Sequence, residues 1–267
     1  MQYYKVVVLD MDGTLLNGKN EVSQVNKETI MELKEQGIQF ILASGRPYDS
    51  IVPYAVELDL DLPIISANGA LVKSVTNDEV IYSSILSTKW VKEILNFAKD
   101  TTFAVSLYLK DEIFTFDEDM LNLHKSLEGL DAKKIDSFKG NQSVIKILMA
   151  NHPDKVNETI KQFELRYKNN LYITSSEPYF LEIMNSNASK GIALEQLIKK
   201  MSVSPKEVIA IGNNFNDIAM FEVAGFSVAM SNSPLEVQGI ADFVTKSNVD
   251  DGVAYVLKKV FKKEVLQ

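Results

Sequence analysis

The sequence contains no cysteine, which excludes a disulfide framework, a thiol nucleophile and a thiolate metal site. No apolar run in it approaches the ~20 residues that a membrane-spanning helix needs, so we expect no membrane association. Basic residues are outnumbered, since 28 Lys and Arg face 36 Asp and Glu for a net charge of −8. An acidic exterior repels phosphate backbones, so we expect no nucleic-acid binding, and any bound anion must be held by local donors.

The remaining composition is that of an ordinary globular protein. Hydrophobic residues make up 46% and charged residues 24% of the 267 residues, and this length suits one large or two modest domains. The opening Met1–Lys5 leads directly into an apolar strand rather than into a signal peptide. Together with the absence of cysteine, this start predicts a cytoplasmic protein.

Two carboxylates follow the first apolar run. Val6–Leu9 lacks polar alternation, as in a strand covered on both faces, and Asp10 and Asp12 come directly after it. Ligands of open α/β sheets bind beyond the carboxyl ends of such strands. The pair suits a Mg²⁺ site in which one carboxylate oxygen stays free as a nucleophile. Asp12 followed by glycine is also ordinary turn chemistry, so this segment alone leaves both interpretations open.

Helical and extended patterns alternate in the first third of the chain. The spacing predicts a helix that ends at Gly37, a strand over 38–43, a helix over 48–58 and a strand over 63–67. This alternation predicts a parallel sheet with right-handed crossovers. We interpret Asn68 and Gly69 as a turn into a hairpin formed by 70–73 and 79–82, with a side-chain contact at a site as the less favoured alternative.

The pattern changes near residue 87 and returns near residue 186. Between them we predict a helix over 89–99, a helix around 156–167, and strands over 103–109, 113–116, 144–150, 171–174 and 179–184. The alternation then resumes, with predicted helices over 190–201, 216–223 and 253–261 and strands over 208–211 and 226–229. We therefore name 87–185 the inserted segment, a second α/β unit placed within one discontinuous α/β core domain of residues 1–86 and 186–267.

Three further segments lie where they could complete a site around Asp10. Ser44 and Gly45 follow the second predicted strand, Lys190 opens a helix, and Gly212 to Asp217 follow the strand over 208–211. Helix N-termini present unpaired N–H groups and partial positive charge, which bind phosphate without a basic surface. The sequence therefore predicts an anion and metal site at this edge of the sheet.

These four segments, in this order, resemble the motifs of the haloacid dehalogenase superfamily, and specifically its Cof-type sugar-phosphate phosphatases with an α/β cap inserted between the second and third motifs. The matching segments are Asp10 to Thr14, Ser44 to Pro47, Lys190 with Gly191, and Gly212 to Asp217. The resemblance covers nearly the whole chain. It implies a Rossmann-like core, a cap, and a Mg²⁺-dependent phosphomonoester phosphatase that acts on sugar phosphates or related small metabolites.

The resemblance also assigns roles to the two acids of the first motif. Asp10 would attack phosphorus in line and form an aspartyl-phosphate, with Mg²⁺ on its other oxygen. Asp12 would protonate the leaving alcohol and then activate water to hydrolyse the intermediate, while its backbone carbonyl binds the metal.

The second and third motifs would supply the phosphate contacts. By the same resemblance, Ser44 and the Lys190 ammonium would hold the phosphoryl oxygens, assisted by the backbone N–H groups of Met11 and Gly45. Arg46 would either touch the substrate or pair with the inserted segment, and the sequence does not choose between these two roles.

The fourth motif contains the one departure from the family pattern. The family has aspartate as a direct Mg²⁺ ligand where this chain has Asn213, whose uncharged amide oxygen should bind Mg²⁺ more weakly. Asn216 would reach phosphate or the waters of the metal, and Asp217 would orient either the metal shell or Lys190. Two alternatives stay open. A phosphomutase would use the same aspartyl-phosphate and return the phosphoryl group to sugar, and a phosphate-ligand binding or regulatory protein would have lost efficient catalysis through Asn213.

Other residues are assigned ordinary roles. His124 and His152 lack spaced partners, so we expect neither to bind a metal, which needs three or four ligands. Trp90 has the helical spacing of an apolar packing face. The expected partner is a small phosphorylated metabolite, and we expect the chain to act as a monomer or weak homodimer.

Overall fold

The computed structural model describes residues 4–261, so Met1 to Tyr3 of the opening segment lie outside it. Within that range the strands are β1 (Val6–Asp10), β2 (Gln39–Ala43), β3 (Ile64–Ser66), β4 (Leu71–Lys73), β5 (Val80–Ser83), β6 (Ala104–Tyr108), β7 (Ile113–Thr115), β8 (Lys133–Lys134), β9 (Lys146–Ala150), β10 (Leu171–Thr174), β11 (Phe180–Asn185), β12 (Val208–Gly212), β13 (Phe226–Ala229) and β14 (Phe243–Val244). The α-helices are α1 (Gln24–Glu35), α2 (Tyr48–Glu57), α3 (Thr88–Thr101), α4 (Glu118–Glu128), α5 (Pro153–Tyr167), α6 (Lys190–Lys200), α7 (Ile218–Val223), α8 (Leu235–Gln238) and α9 (Gly252–Phe261).

The larger sheet has eight strands in the order β14-β13-β12-β1-β2-β3-β4-β5. The strands from β14 to β3 run parallel, and β4 and β5 complete an antiparallel edge. β1 lies near the centre with all five residues buried, which explains its unbroken apolar sequence. Because β1, β2 and β12 are parallel neighbours, the segments that follow them meet at one edge of the sheet, and the predicted α/β fold with a parallel sheet is confirmed.

The smaller sheet has six strands in the order β10-β11-β9-β6-β7-β8, and all of them come from the inserted segment. One face packs against α3 and α5 through an apolar cluster that includes Val91, Ile94, Ile147 and Phe163. The other face turns toward the larger sheet and contributes Tyr108 and Leu148 to a shared apolar cluster. This second face therefore lies over the edge where the sequence motifs meet.

The predicted elements agree with the structure apart from α4 and three short elements, β8, α8 and β14, which the sequence pattern did not predict. The sequence pattern predicted no helix between residues 116 and 144, whereas α4 occupies Glu118–Glu128. This helix carries His124, which is buried and whose Nε2 lies 2.7 Å from Ser106 Oγ. Trp90 packs edge-on against Tyr167 with 5.5 Å between ring centroids, as its spacing predicted. Among residues 4–261 no helix combines the length and apolar character needed to cross a bilayer.

The division into core domain and inserted segment stays a prediction, which deletion can test. We expect a chain that joins residue 86 to residue 186 through a short flexible linker to unfold cooperatively in urea, because the large sheet keeps all its strands. The separately expressed segment should also fold, since its cluster around α3 and α5 is formed by residues between 86 and 183. Loss of the cooperative transition in both pieces would contradict the boundaries.

Candidate active site

Lys190 joins two carboxylates at the carboxyl edge of the large sheet. Its Nζ lies 2.6 Å from Asp10 Oδ1 and 2.6 Å from Asp217 Oδ1, and all three side chains are buried. Ser189 fixes the start of α6, since its side chain accepts a hydrogen bond from the Ile192 N–H at 3.1 Å. The helix start thus aims one buried cation between two acids, which leaves one negative charge uncompensated.

The electrostatics of this cluster favour an additional cation. Burial and the neighbouring Asp217 raise the pKa of Asp10 to about 7, although Lys190 opposes the shift. Burial alone would lower the pKa of Lys190, but the adjacent Asp10 and Asp217 carboxylates raise it above its ordinary value. A cation bound at the free oxygen of Asp10 would therefore favour the ionised carboxylate that a nucleophile requires.

Asp217 lies beneath the cavity rather than in its wall. One of its oxygens contacts Lys190, and the other accepts backbone N–H groups from Asn213 at 2.8 Å and Asn214 at 3.0 Å. A Cβ at Gly212 would lie only 2.5 Å from the Asp217 carboxyl carbon, so this approach requires glycine. Both oxygens are thus occupied, which supports the predicted role of orienting Lys190 over that of a direct metal ligand.

Asn213 extends to the point where the metal was predicted. The orientation that satisfies its amide places the nitrogen 3.0 Å from Asp10 Oδ2, 3.0 Å from the Asp12 carbonyl oxygen and 3.3 Å from Thr14 Oγ1. Gly13 allows this approach, because a Cβ there would lie 3.1 Å from the amide carbon of Asn213 and 2.3 Å from the amide atom that faces away from Asp10. Rotated by half a turn, the amide would add its oxygen to those of Asp10 and Asp12. These are the hard donors that Mg²⁺ prefers, so the residues fit the ion with one charge fewer than an aspartate would give.

Arg46 pairs with Asp12, a contact that neither of its two alternative predicted roles included. Its Nε lies 2.9 Å from Asp12 Oδ2 and its Nη2 lies 2.6 Å from Asp12 Oδ1. The bidentate geometry is the one that a planar guanidinium favours with a carboxylate. Arg46 thus holds the side chain of the expected acid and base, and the alternative of a direct substrate contact stays a prediction.

The remaining predicted residues divide between the cavity and the layer beneath it. A cavity of about 150 Å³ is lined by Asp10, Asp12, Gly45, Arg46, Asn213 and Asn216, among others. The side chains of Met11 and Ser44 are fully buried, and Ser44 Oγ accepts the Arg46 N–H at 3.1 Å. The sequence motifs therefore converge on one cavity, with Ser44 shaping the loop that borders it.

Asn68 is a site residue that the turn interpretation missed. Its Nδ2 donates to Glu182 Oε2 at 3.0 Å, and its Oδ1 accepts from Asn216 Nδ2 at 2.9 Å. Ala67, Asn68 and Gly69 all have positive φ angles, of 48°, 54° and 90°, a left-handed turn that is unfavourable for residues other than glycine. The predicted turn is therefore present, and the less favoured alternative of a side-chain contact is present as well, because the strained turn holds a side chain that links the inserted segment to the fourth motif.

Lys146 and Glu182 complete the cavity from the inserted segment. Lys146 Nζ donates to the Gly45 carbonyl oxygen at 3.1 Å and lies 3.4 Å from Glu182 Oε1. Glu182 Oε1 also accepts from Ser176 Oγ at 2.8 Å. Lys146 is the charged residue of the otherwise apolar β9, and Glu182 is the charged residue of β11. Two opposite charges within apolar strands were the sequence signal that could have identified this pair.

The family model for haloacid dehalogenase-like hydrolases matches residues 7–257 of this chain. The chain therefore belongs to that family. A haloacid dehalogenase-like hydrolase from Bacteroides thetaiotaomicron has a crystal structure similar to this one, with a TM-score of 0.87 and 33% identity over 97% of this chain and 100% of that chain.

Two phosphatases of Bacillus subtilis are similar over nearly their whole length. YwtE is 29% identical over 96% of this chain and 98% of its own, and YcsE is 30% identical over 95% and 94%. Both are named 5-amino-6-(5-phospho-D-ribitylamino)uracil phosphatases. The family, the fold and the class of enzyme predicted from the sequence are thus confirmed.

Proposed function

We propose that this protein is a cytoplasmic, Mg²⁺-dependent phosphomonoester phosphatase that acts through an aspartyl-phosphate on sugar phosphates or related small metabolites. The observation that carries the proposal is the position of Asp10. One of its oxygens contacts Lys190, while the other faces the amide of Asn213 and borders the cavity. The named substrate of YwtE, a ribityl phosphate on a pyrimidine, supports a small phosphorylated metabolite as the substrate class.

The two acids divide the chemistry between them. An oxygen of Asp10 attacks phosphorus as the bond to the leaving oxygen breaks, and the Asp12 carboxyl group gives its proton to that oxygen. Asp12 then takes a proton from the water that attacks the aspartyl-phosphate, which releases inorganic phosphate and restores Asp10. Arg46 orients Asp12 through its bidentate contact, and one of these two contacts has to open for Asp12 to donate or accept a proton. Lys190 offsets charge on the phosphoryl oxygens.

Mg²⁺ would be held by the Asp10 carboxylate, the Asp12 carbonyl oxygen and the Asn213 amide oxygen. When bound, it supplies positive charge that stabilises the phosphoryl oxygens. The Asp10 Oδ2 and the Asp12 carbonyl oxygen each lie 3.0 Å from the Asn213 amide nitrogen, so a half-turn of that amide brings the third donor beside them.

The decisive experiment measures inorganic phosphate release over a broad panel of phosphometabolites, with Mg²⁺ titrated well above ordinary concentrations. Turnover that requires Mg²⁺, with transient gain of a phosphoryl group on the protein by mass spectrometry, is the expected result. An isomerised product without free phosphate would show a phosphomutase instead. Tight ligand binding without turnover at any Mg²⁺ concentration would show a binding or regulatory protein.

Asn213→Asp should tighten Mg²⁺ binding. The change restores one carboxylate to a hard-cation site, and we expect Mg²⁺ to bind about 10- to 100-fold more tightly, or about 1.4–2.8 kcal/mol. Calorimetric titration of Mg²⁺ measures this directly, and the Mg²⁺ concentration for half-maximal turnover should fall in parallel.

The matched control for this change is Asn157→Asp, which adds the same charge at an exposed position of α5 in the inserted segment. Asn157 does not line the active-site cavity, so Mg²⁺ affinity should change little. Superimposable titrations of Asn213→Asp and the parent protein would remove Asn213 from the metal shell.

Asn68→Ala should lower kcat/KM by about 30-fold. It removes two hydrogen bonds, to Glu182 and Asn216, and leaves an oxygen of buried Glu182 without its partner; such losses amount to about 1 kcal/mol each. Asn77→Ala is the matched control, because Asn77 is an exposed turn residue whose side chain accepts the Glu79 N–H. Equal activity of the two variants would show that the Asn68 contacts are dispensable for turnover.

A further inference from the structure

The loop that carries Asp12 is a single closed turn. It runs from Met11 to Leu16, and the N–H groups of Thr14 and Leu16 both donate to the Met11 carbonyl oxygen, at 3.1 and 2.9 Å. Leu16 also pairs with Asp12 as an isolated β-bridge. We name residues 11–16 the Asp12 loop. These internal contacts set the shape of the loop, whereas contacts with other segments set where it lies beside the site.

Two asparagines from other loops hold the Asp12 loop by its backbone. Asn232, which follows β13, donates from Nδ2 to the Gly13 carbonyl oxygen at 2.8 Å. Asn248, which follows β14, donates from Nδ2 to the Leu16 carbonyl oxygen at 2.8 Å. Asn213 follows β12, so three neighbouring strands of the large sheet each place an asparagine against this one loop.

The second contact of Asn232 fixes the orientation of its amide and joins the two residues. Its Oδ1 accepts the backbone N–H of Asn248 at 3.1 Å, so its Nδ2 must be the atom that donates to the Gly13 carbonyl oxygen. We name Asn232 and Asn248 the asparagine clasp. The clasp thus grips the Asp12 loop at two carbonyl oxygens and is itself held together by a hydrogen bond.

Gly13 connects the clasp to the predicted metal position. The Asp12 carbonyl oxygen, a proposed donor to Mg²⁺, belongs to the peptide bond that leads into Gly13. Gly13 has a φ of 76°, and glycine rotates about φ and ψ more freely than other residues. Because Asn232 holds the next carbonyl oxygen along the chain, it restricts the rotation that would turn the Asp12 carbonyl away from Asp10.

The clasp is better explained by the position of the loop than by the stability of the fold. Asn232 is exposed and Asn248 is half-buried, and a hydrogen bond that solvent reaches adds little to global stability. Both belong to the described part of the chain, and neither lines the cavity beside Asp10. Any effect of the clasp on the chemistry must therefore pass through the Asp12 loop.

We propose that Asn232 and Asn248 are positioning residues, which hold the Asp12 loop so that the Asp12 carbonyl oxygen stays directed at the metal position and its carboxyl group at the leaving oxygen. This inference rests on the proposed phosphatase function and explains how its acid and one of its metal donors are kept in place. Mg²⁺ would bind only the held arrangement of the loop, so its apparent affinity falls with the fraction of the protein in that arrangement.

Two clasp variants and one matched control test the proposal in the full chain. Asn232→Ala and Asn248→Ala each remove one grip on the loop. Asn151→Ala is the control, because Asn151 makes the same pair of contacts within the inserted segment. Its Nδ2 donates to the Thr102 carbonyl oxygen at 3.0 Å, and its Oδ1 accepts the His152 N–H at 2.8 Å.

Hydrogen exchange of the metal-free protein, followed by mass spectrometry, measures the hold on the loop directly. The N–H groups of Thr14 and Leu16 lie in hydrogen bonds within the loop. We expect the peptide that contains them to exchange about fivefold faster in each clasp variant, as the loss of one hydrogen bond implies. The control should exchange as the parent does. Unchanged exchange in both clasp variants would overturn the proposal.

Mg²⁺ affinity and leaving-group dependence separate positioning from a merely structural role. Calorimetric titration should show Mg²⁺ binding about fivefold more weakly to each clasp variant. At saturating Mg²⁺, kcat should fall about tenfold for sugar phosphates and less for aryl phosphates, because only the poorer leaving group needs the Asp12 proton. KM should stay nearly constant. A loss confined to urea unfolding, with parental Mg²⁺ affinity and substrate ratio, would refute the inference.

Failure of the phosphatase function itself would look different. The parent protein would then release no phosphate from any compound, including the small activated substrate acetyl phosphate. Hydrogen exchange and Mg²⁺ titration do not depend on turnover, so they would still decide the role of the clasp. Faster exchange and weaker Mg²⁺ binding in the two clasp variants would support it, and parental values of both would exclude it.

Discussion

Asp10→Asn should abolish phosphate release, with a fall in kcat of roughly 1,000-fold or more, about 4 kcal/mol of transition-state stabilisation. An amide is a poor nucleophile, and the neutral side chain also removes the charge that draws a metal to this position. The fold should persist, because the amide oxygen can still accept from Lys190 Nζ where Asp10 Oδ1 now does. Single-turnover assays with aryl and sugar phosphates, together with urea unfolding, measure both effects.

The control for this variant is Asp61→Asn, an identical change at an exposed aspartate. It should leave both turnover and unfolding unchanged. Mass spectrometry of the Asp10→Asn protein, quenched during reaction, should show no added phosphoryl group. Residual turnover at a tenth of the parental rate would exclude Asp10 as the nucleophile, and another group would then have to accept the phosphoryl group.

The positions at strand ends could be predicted from the sequence because they depend on local pattern. An apolar run such as Val6–Leu9 predicts a buried parallel strand, and Asp10 must then lie at its carboxyl end. The same reasoning placed Ser44 after β2 and Asn213 after β12, and the parallel pairing of these strands brings the three segments together.

The contacts between these segments could not be predicted, since they depend on loops that close in space. Arg46 bonds to Asp12 across 34 positions, and Asn68 bonds to Glu182 across 114. Asn68 also escaped notice because asparagine followed by glycine ordinarily indicates a turn. The left-handed backbone of Ala67 and Asn68 is held by contacts between distant segments, which no pattern of residue types encodes.

Lys190→Met should affect both stability and turnover. Removing the ammonium leaves Asp10 and Asp217 buried together without a cation, and breaking a buried pair in this way lowers the free energy of unfolding by about 3–5 kcal/mol. Turnover should fall by about 100-fold or more, because the charge beside the phosphoryl oxygens is lost. Lys200→Ala, on the same helix but in an exposed pair with Glu79, is the control and should change neither property measurably.

The instability of the Lys190→Met protein should depend on pH in a defined direction. In the parent protein, burial and Asp217 hold the pKa of Asp10 at about 7, well above its ordinary value, while Lys190 works to lower it. Without Lys190 the pKa of Asp10 in the folded protein rises further. Between the pKa of Asp10 in the unfolded protein and this higher value, the folded state holds a proton that the unfolded state has released. Proton binding by Asp10 therefore stabilises the folded state at low pH, and this stabilisation is lost as the pH rises through the pKa of the folded state. Urea unfolding of metal-free protein should therefore show a gap between parent and variant that is largest above the raised pKa of the variant, narrows as the pH falls toward about 7, and stays nearly constant below that pH, where Asp10 is protonated in both folded proteins. A gap that stays constant, or widens on acidification, would mean that Asp10 and Lys190 do not interact as the 2.6 Å contact between them implies.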